Sequence, residues 1–226
     1  MGPQATIDFL HKLVVATPVV HEQDHLRVLV DSNAGVPDRN SAIAGAGPSP
    51  GPALAAMARG LQQSGADFLV MACNTAHAFA PAIRAAAQVP FISIIEEACD
   101  ACVRDWPGCT DVGVLAAPGC LEAQLFQRAL GARNRKALTL APPEQERFNS
   151  LLYRIKLGGA LGDMRSEMRR LADTLVSAGA GSIIAGCTEV PLVLAGSDVS
   201  VPLLDATDNL ARRCVLYARQ LEPLPR

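Results

Sequence analysis

The sequence predicts an α/β protein built as two similar parallel-sheet βα domains related by pseudo-twofold symmetry, with a site in the cleft between them. Three observations carry that expectation. Short apolar β-type runs alternate with Ala-rich or charged stretches of helical length, one segment recurs half a chain later, and 226 residues, half of them hydrophobic, suit one large domain or two small ones. Strict strand and helix alternation requires right-handed βαβ crossovers and a sheet covered on both faces.

In chain order, a helix is expected from Pro3, and the strand-like runs are residues 26–30, 68–71, 91–94, 112–115, 182–185 and 201–204. Gly35, Pro37, Gly45, Gly47, Pro48 and Pro50 mark a long polar loop over 33–50. The repeat aligns Gly65-Ala66-Asp67-Phe68-Leu69-Val70-Met71-Ala72-Cys73 without a gap on Gly179-Ala180-Gly181-Ser182-Ile183-Ile184-Ala185-Gly186-Cys187, matching Gly, Ala and Cys at the first, second and ninth positions. Val89-Pro90 follows the first cysteine by 16 residues and Val201-Pro202 follows the second by 14. The offset, 187 − 73 = 114, is half of 226 to within a residue. The expected domains are 1–95 plus 206–226, and 96–205.

Composition narrows the function. Twenty basic against 22 acidic residues give a net charge of −2, which does not suit a nucleic-acid groove, and 4% aromatics supply neither a base-stacking platform nor Trp/Tyr anchors. The expected partner is a small molecule. Seven cysteines without a disulfide pattern or a signal peptide point to a reducing cytoplasm. No membrane partner is expected, because Asn74, Thr75 and His77 interrupt the longest apolar run. The opening Met1-Gly2-Pro3-Gln4-Ala5-Thr6 fits a myristoylation pattern, but no basic cluster follows as a second membrane signal.

Each repeated cysteine falls at the carboxyl end of a buried strand, where ligands bind in open α/β sheets. A helix beginning there would offer free N–H groups and a partial positive charge, lowering the pKa of a thiol and favouring a carboxylate. A single buried cysteine is ordinarily a small hydrophobe. Two at equivalent positions, followed by Asn74 and Thr75 in one half and Thr188 and Glu189 in the other, point instead to paired functional thiols. His77, four residues after Cys73, either tunes that thiol or serves packing.

Ala72-Cys73-Asn74-Thr75-Ala76-His77 and Gly186-Cys187-Thr188-Glu189-Val190-Pro191-Leu192 resemble the paired cysteine motifs of the cofactor-independent aspartate/glutamate racemase superfamily. Gly2-Pro3-Gln4-Ala5-Thr6, Gln23-Asp24-His25-Leu26, Asn33 with Val36-Pro37-Asp38-Arg39, and Tyr153 with Ile155-Lys156 and Gly158 resemble its aspartate racemase branch. The resemblance implies proton transfer at Cα by Cys73 and Cys187 on opposite faces of the substrate, without cofactor or metal, in a homodimer. It also implies substrate binding by Met1, Arg39, Asn74, Thr75, Lys156, Thr188 and Glu189, with Arg39 and Lys156 on the side-chain carboxylate of aspartate. Glutamate, another amino acid, a maleate-type isomerisation, a malonate-type decarboxylation and an inactive carboxylate binder stand as alternatives.

Other signals are set aside. His21-Glu22-Gln23-Asp24-His25 spells the zinc-protease pattern, which works only on a helix, and here reads as a loop. Cys99 and Cys102 fall in a helical stretch, 96–106, with no partner pair at finger spacing. Against the family pattern, Ala117 and Cys120 replace threonines, Leu210 stands where a histidine is common, and Lys156 sits one residue closer to Tyr153. A first strand ending in Gly-Gly is also missing before Met1, so the expected N-terminal sheet lacks its central strand.

Overall fold

The computed structural model describes residues 2–158 and 161–225. Helix α1 (Pro3–Ala16) is followed by a 3-10 turn (Glu22–Asp24), a loop, α2 (Arg39–Ile43), α3 (Gly51–Gln63) and strand β1 (Leu69–Val70). A 3-10 helix (Thr75–Phe79) runs into α4 (Ala80–Ala86), then β2 (Phe91–Ile92), α5 (Ile94–Asp105), β3 (Asp111–Leu115), α6 (Pro118–Glu122), α7 (Leu125–Gly131) and β4 (Lys136–Leu138). The chain continues through α8 (Pro142–Lys156), α9 (Leu161–Ser177), β5 (Ser182–Ala185), 3-10 turns at Val190–Leu192 and Gly196–Asp198, β6 (Leu203–Asp205) and α10 (Ala206–Ala218).

Among the described residues the strands form two sheets, and every pairing is parallel: β1 beside β2, and β4-β3-β5-β6. Val112 pairs with Ser182 and Leu115 with Ala185, so β3 and β5 end level with one another. Both strands are buried nearly throughout, as their unbroken apolar runs require. Alternate side chains serve opposite faces: Val112, Val114 and Ile184 join one core with α1, α5, α7 and α10, while Leu115, Ile183 and Ala185 join another with α8 and α9. Gly113 allows the second face to close, because a Cβ there would lie 3.1 Å from Ile183 and 3.2 Å from Leu175. A third, smaller core packs α3 and α4 on β1 through Leu54, Ile83, Leu69 and Met71.

Three expectations change. Residues 26–30 form no regular secondary structure and lie in no ladder, with Val28 and Val30 exposed; a β-type composition makes a strand only when a neighbour supplies hydrogen bonds. Between this segment and β1 lies a cavity of about 500 Å³ lined by Leu26, Val28, Leu29, Leu61, Leu69 and Val70 among others. Strand β4 was not anticipated: it is a three-residue edge strand whose Lys136 breaks the apolar signal. The loop expected over 33–50 holds the short helix α2, capped by the Asp38 carboxylate accepting from the Ser41 N–H at 2.8 Å. The His21–His25 stretch is an exposed 3-10 turn, in keeping with its reading as a loop. No described helix is long and apolar enough to cross a membrane.

Asp205, at the end of β6, ties the termini of the fold together. Its Oδ1 accepts from the N–H groups of Thr207 and Asp208 at 2.9 and 3.0 Å, and its Oδ2 pairs with Lys12 of α1 at 2.7 Å. Asp205→Ala removes a helix cap and a half-buried ion pair, so it is expected to cost roughly 2 kcal/mol and lower Tm by about 4–8 °C. Urea and thermal unfolding check this.

Candidate active site

The carboxyl ends of β1 and β5 bring the two repeated cysteines to one cavity. The cavity is small, about 40 Å³, and its wall is rich in polar side chains. Cys73 and Cys187 line it together with Arg39, Asn74, Thr75, Lys156, Thr188 and Glu189. The structure therefore gathers every described residue that the sequence proposed for the site; Met1 lies outside the described residues. Gly2, Ala5, Asp38, Asn40, Ala72 and Ala117 complete the wall. Asp38 and Asn40 were missed, although Asp38 stands in the Pro-Asp-Arg motif. Asn40 accepts the Gly119 N–H at 3.0 Å, across 79 residues of chain that no local pattern connects.

The two halves place their thiols in different surroundings. Cys187 is buried, and its thiol donates to Glu189 Oε2 at 2.8 Å; the Thr188 hydroxyl donates to the same oxygen at 3.3 Å. Burial, then the charge of Glu189 and this hydrogen bond, hold the Cys187 pKa well above the ordinary thiol value, against the opposing pull of Lys156. This corrects the expectation of a thiol acidified by a helix N-terminus. The chain beyond Cys187 forms only a three-residue 3-10 turn with Pro191, too short for an aligned dipole, and a carboxylate sits closer. Cys73 is half-buried and precedes the longer 3-10 helix and α4.

Lys156, from the last turn of α8, reaches toward Glu189 with Nζ 3.9 Å from Oε1. Burial opposes its charge, but Glu189, Cys187 and Cys73, in that order, outweigh burial and raise its pKa. Asn74 is 3% exposed, and neither its amide nitrogen nor its amide oxygen has a hydrogen-bond partner. Such a group in a cavity wall is set to bind a polar ligand. Arg39 is turned back on its own loop, where Nη1 donates to the carbonyls of Pro37 at 2.9 Å and Val36 at 3.1 Å.

Two glycines let side chains pack closely beside the thiol loops. A Cβ at Gly186, immediately before Cys187, would meet the Phe126 ring at 2.7 Å, and one at Gly119 would meet Asn40 Oδ1 at 2.7 Å and Thr75 Cγ2 at 3.1 Å. Cys120, where the sequence departs from threonine, is fully buried and its pKa is pushed up by burial, so it offers the cavity nothing. Among the described residues no group of three or more His, Cys, Asp or Glu side chains is arranged to hold a metal ion.

Parallel sheets whose repeated strands each deliver a cysteine to one polar cavity define a class of α/β proteins, and comparison with known proteins gives the family. The chain belongs to the Asp/Glu/hydantoin racemase family, whose model matches residues 1–214. It is 26% identical over 156 residues to the broad specificity amino-acid racemase RacX of Bacillus subtilis, covering 69% of this chain and 66% of that one. It is 32% identical over 170 residues to a glutamate racemase of Roseiflexus sp., covering 70% of this chain and 59% of that enzyme. The chain thus spans less than two thirds of the length of these two relatives. The fold matches an aspartate racemase of Picrophilus torridus with a TM-score of 0.82 at 22% identity, covering 96% of this chain and 90% of that one. It also matches an aspartate racemase homologue of Pyrococcus horikoshii with a TM-score of 0.77 at 20% identity, covering 96% and 95%.

Glu189→Gln tests the electrostatics. Removing an anion beside the Cys187 thiol stabilises its thiolate, so the pKa falls and the thiolate fraction at pH 8 rises. Iodoacetamide labelling of Cys187 at pH 8, monitored by mass spectrometry, is expected to accelerate at least about threefold, since one pKa unit is tenfold in thiolate.

Proposed function

We propose that this protein racemises an α-amino acid, aspartate first, by proton transfer between Cys73 and Cys187 without a cofactor. The observation that carries the reading is the convergence of the two repeated cysteines on one cavity with the unpaired Asn74 amide and the Lys156 ammonium. In one direction the Cys73 thiolate takes the α-proton, the Cα–H electron pair stays on carbon, and the Cys187 S–H delivers its proton to the opposite face. Cys73 then holds a proton and Cys187 is the thiolate; exchange with solvent resets both. The reverse direction exchanges the roles.

The surroundings of each group support this assignment. Glu189 keeps Cys187 protonated before turnover, as a proton donor requires, and Lys156 offsets the second negative charge that forms beside Glu189 when the proton leaves. Asn74, Thr75, Thr188 and nearby backbone N–H groups hold the α-carboxylate and stabilise charge developing on Cα. Arg39 and Lys156 receive the side-chain carboxylate. The cleft lies between domains 1–95 plus 206–226 and 96–205, in a cytoplasmic homodimer.

One observation favours a second reading, in which the substrate is another amino acid. Arg39 is engaged by its own loop and Lys156 is shared with Glu189, so the grip on a side-chain carboxylate is weaker than two free cations would give. A broad-specificity racemase among the relatives suits that reading too.

Chiral chromatography of L-aspartate, L-glutamate and a panel of neutral and basic amino acids, with purified protein and no pyridoxal phosphate, is expected to show a D-form, aspartate fastest. Cys73→Ser and Cys187→Ser should each reduce the rate by about 10²–10⁴-fold while Tm stays near that of the parent. Full activity in either variant overturns the two-thiol mechanism, and turnover of only a neutral or basic amino acid selects the second reading.

A further inference from the structure

His77 lies in the 3-10 helix after Cys73 and is 6% exposed. Both ring nitrogens face backbone groups. Nδ1 is 2.9 Å from the Cys73 carbonyl oxygen, and Nε2 is 3.3 Å from the Ile94 nitrogen, which donates to it. A carbonyl only accepts and a backbone N–H only donates, so the two contacts select one tautomer, with the proton on Nδ1 and a bare Nε2. A second proton on Nε2 would oppose two N–H groups. Burial above all pushes the imidazole pKa down to about 4, outweighing the hydrogen bond to the Cys73 carbonyl that would raise it, with the Arg84 guanidinium adding to the fall. Arg84 also lies over the Phe91 ring at 5.5 Å, and His77 tilts against that ring at 5.3 Å.

The imidazole thus joins two segments that the sequence separates. Ile94 opens α5 and is fully buried in the central core, whereas Cys73 stands in the loop beyond β1. The Cys73–Asn74 peptide is trans, so its N–H points opposite to its carbonyl. Holding the carbonyl against His77 therefore turns the Asn74 N–H away from the imidazole and fixes the peptide that carries both cavity-lining side chains.

We propose that His77 is a positioning residue for Cys73, a neutral imidazole that locks the Cys73–Asn74 peptide to the buried start of α5 and takes no part in proton transfer. The proposal rests on the two-cysteine reading for its kinetic consequence only; its geometric claim concerns the Cys73 loop itself. With both nitrogens committed to backbone, His77 has no free site with which to relay a proton. Its influence is through placement, and misplacing a reacting group by about 1 Å costs up to roughly 10²-fold in rate.

Three variants of the full chain test it. In His77→Asn the amide nitrogen falls near Nδ1 and keeps a donor to the Cys73 carbonyl. In His77→Gln the amide oxygen falls near Nε2 and keeps the acceptor for Ile94 but gives up the Cys73 contact. His77→Ala removes both. The readouts are iodoacetamide labelling of Cys73 by mass spectrometry across pH 6–10 (a range chosen to bracket the ordinary thiol pKa), kcat and KM for the racemised amino acid, and Tm.

The expected result is that Gln and Ala change the Cys73 labelling profile at least about threefold and lower kcat about tenfold with KM within about twofold, while Asn stays close to the parent in both. A Gln variant that folds, labels at Cys73 and turns over like the parent overturns the proposal. So does an Asn variant that regains Tm but is as slow as Gln, since that would make the imidazole itself necessary. If the parent protein racemises nothing, the function proposed above fails, and the labelling comparison of Asn with Gln still decides the role of His77. If the Ala variant does not fold, the Asn and Gln pair carries the decision.

Discussion

Every strand pairing among the described residues is parallel, and that constraint decides where the chemistry sits. A parallel sheet must return each strand through a helix on its face, so all carboxyl ends gather on one side and all helix stems on the other. β3 and β5 end in register, β1 ends toward the same cavity, and the loops that leave them carry Cys73, Ala117 and Cys187 to its wall. The apolar cores under the sheets hold those strand ends still. Gly119 and Gly186 let neighbouring side chains close in where a Cβ would not fit, and Gly113 does so where a Cβ would be tight.

Within this frame the two halves differ in ways that their repeat conceals. Cys187 is buried beside a carboxylate that accepts its proton, with a lysine on the far oxygen of that carboxylate. Cys73 is half-buried, has its backbone carbonyl on a neutral histidine, and is followed by the 3-10 helix that carries His77. The proposed chemistry uses this inequality: the Cys187 thiol, held beside Glu189, starts protonated and serves as the donor. A symmetric pair would have to break its own symmetry before each turnover, whereas here the surroundings have already done so.

Much of this was legible in the sequence, for a physical reason in each case. The repeat placed Cys73 and Cys187 because both halves solve one packing problem with the same Gly-Ala start and Cys end. Strands β2, β3, β5 and β6 announced themselves as apolar runs because a covered parallel sheet tolerates no polar alternation. Residues 26–30 have the same composition, yet a strand is a relation between two segments, and the segment alone does not contain its partner. Strand β4 is short and starts with an exposed lysine, so composition hid it. Asp38 and Asn40 entered the site through the tertiary fold, Asp38 on the same wall as Lys156 and Asn40 through its hydrogen bond from Gly119, both far along the chain. The reversal at Cys187 came from three dimensions too: adjacent letters named Glu189, but only burial decides that a carboxylate two residues away raises the thiol rather than merely neighbouring it.

The central claim is that two thiols act on opposite faces of one substrate in one cavity. Its most direct test is isotopic, run with the parent protein and L-aspartate in D₂O and sampled over the first few per cent of conversion. The account predicts that the D-aspartate formed carries deuterium at Cα while the remaining L-aspartate keeps its proton, because the donor and acceptor thiols are different groups. Deuterium appearing in the recovered L-aspartate as fast as D-aspartate forms would mean that a single base serves both faces, and would contradict it.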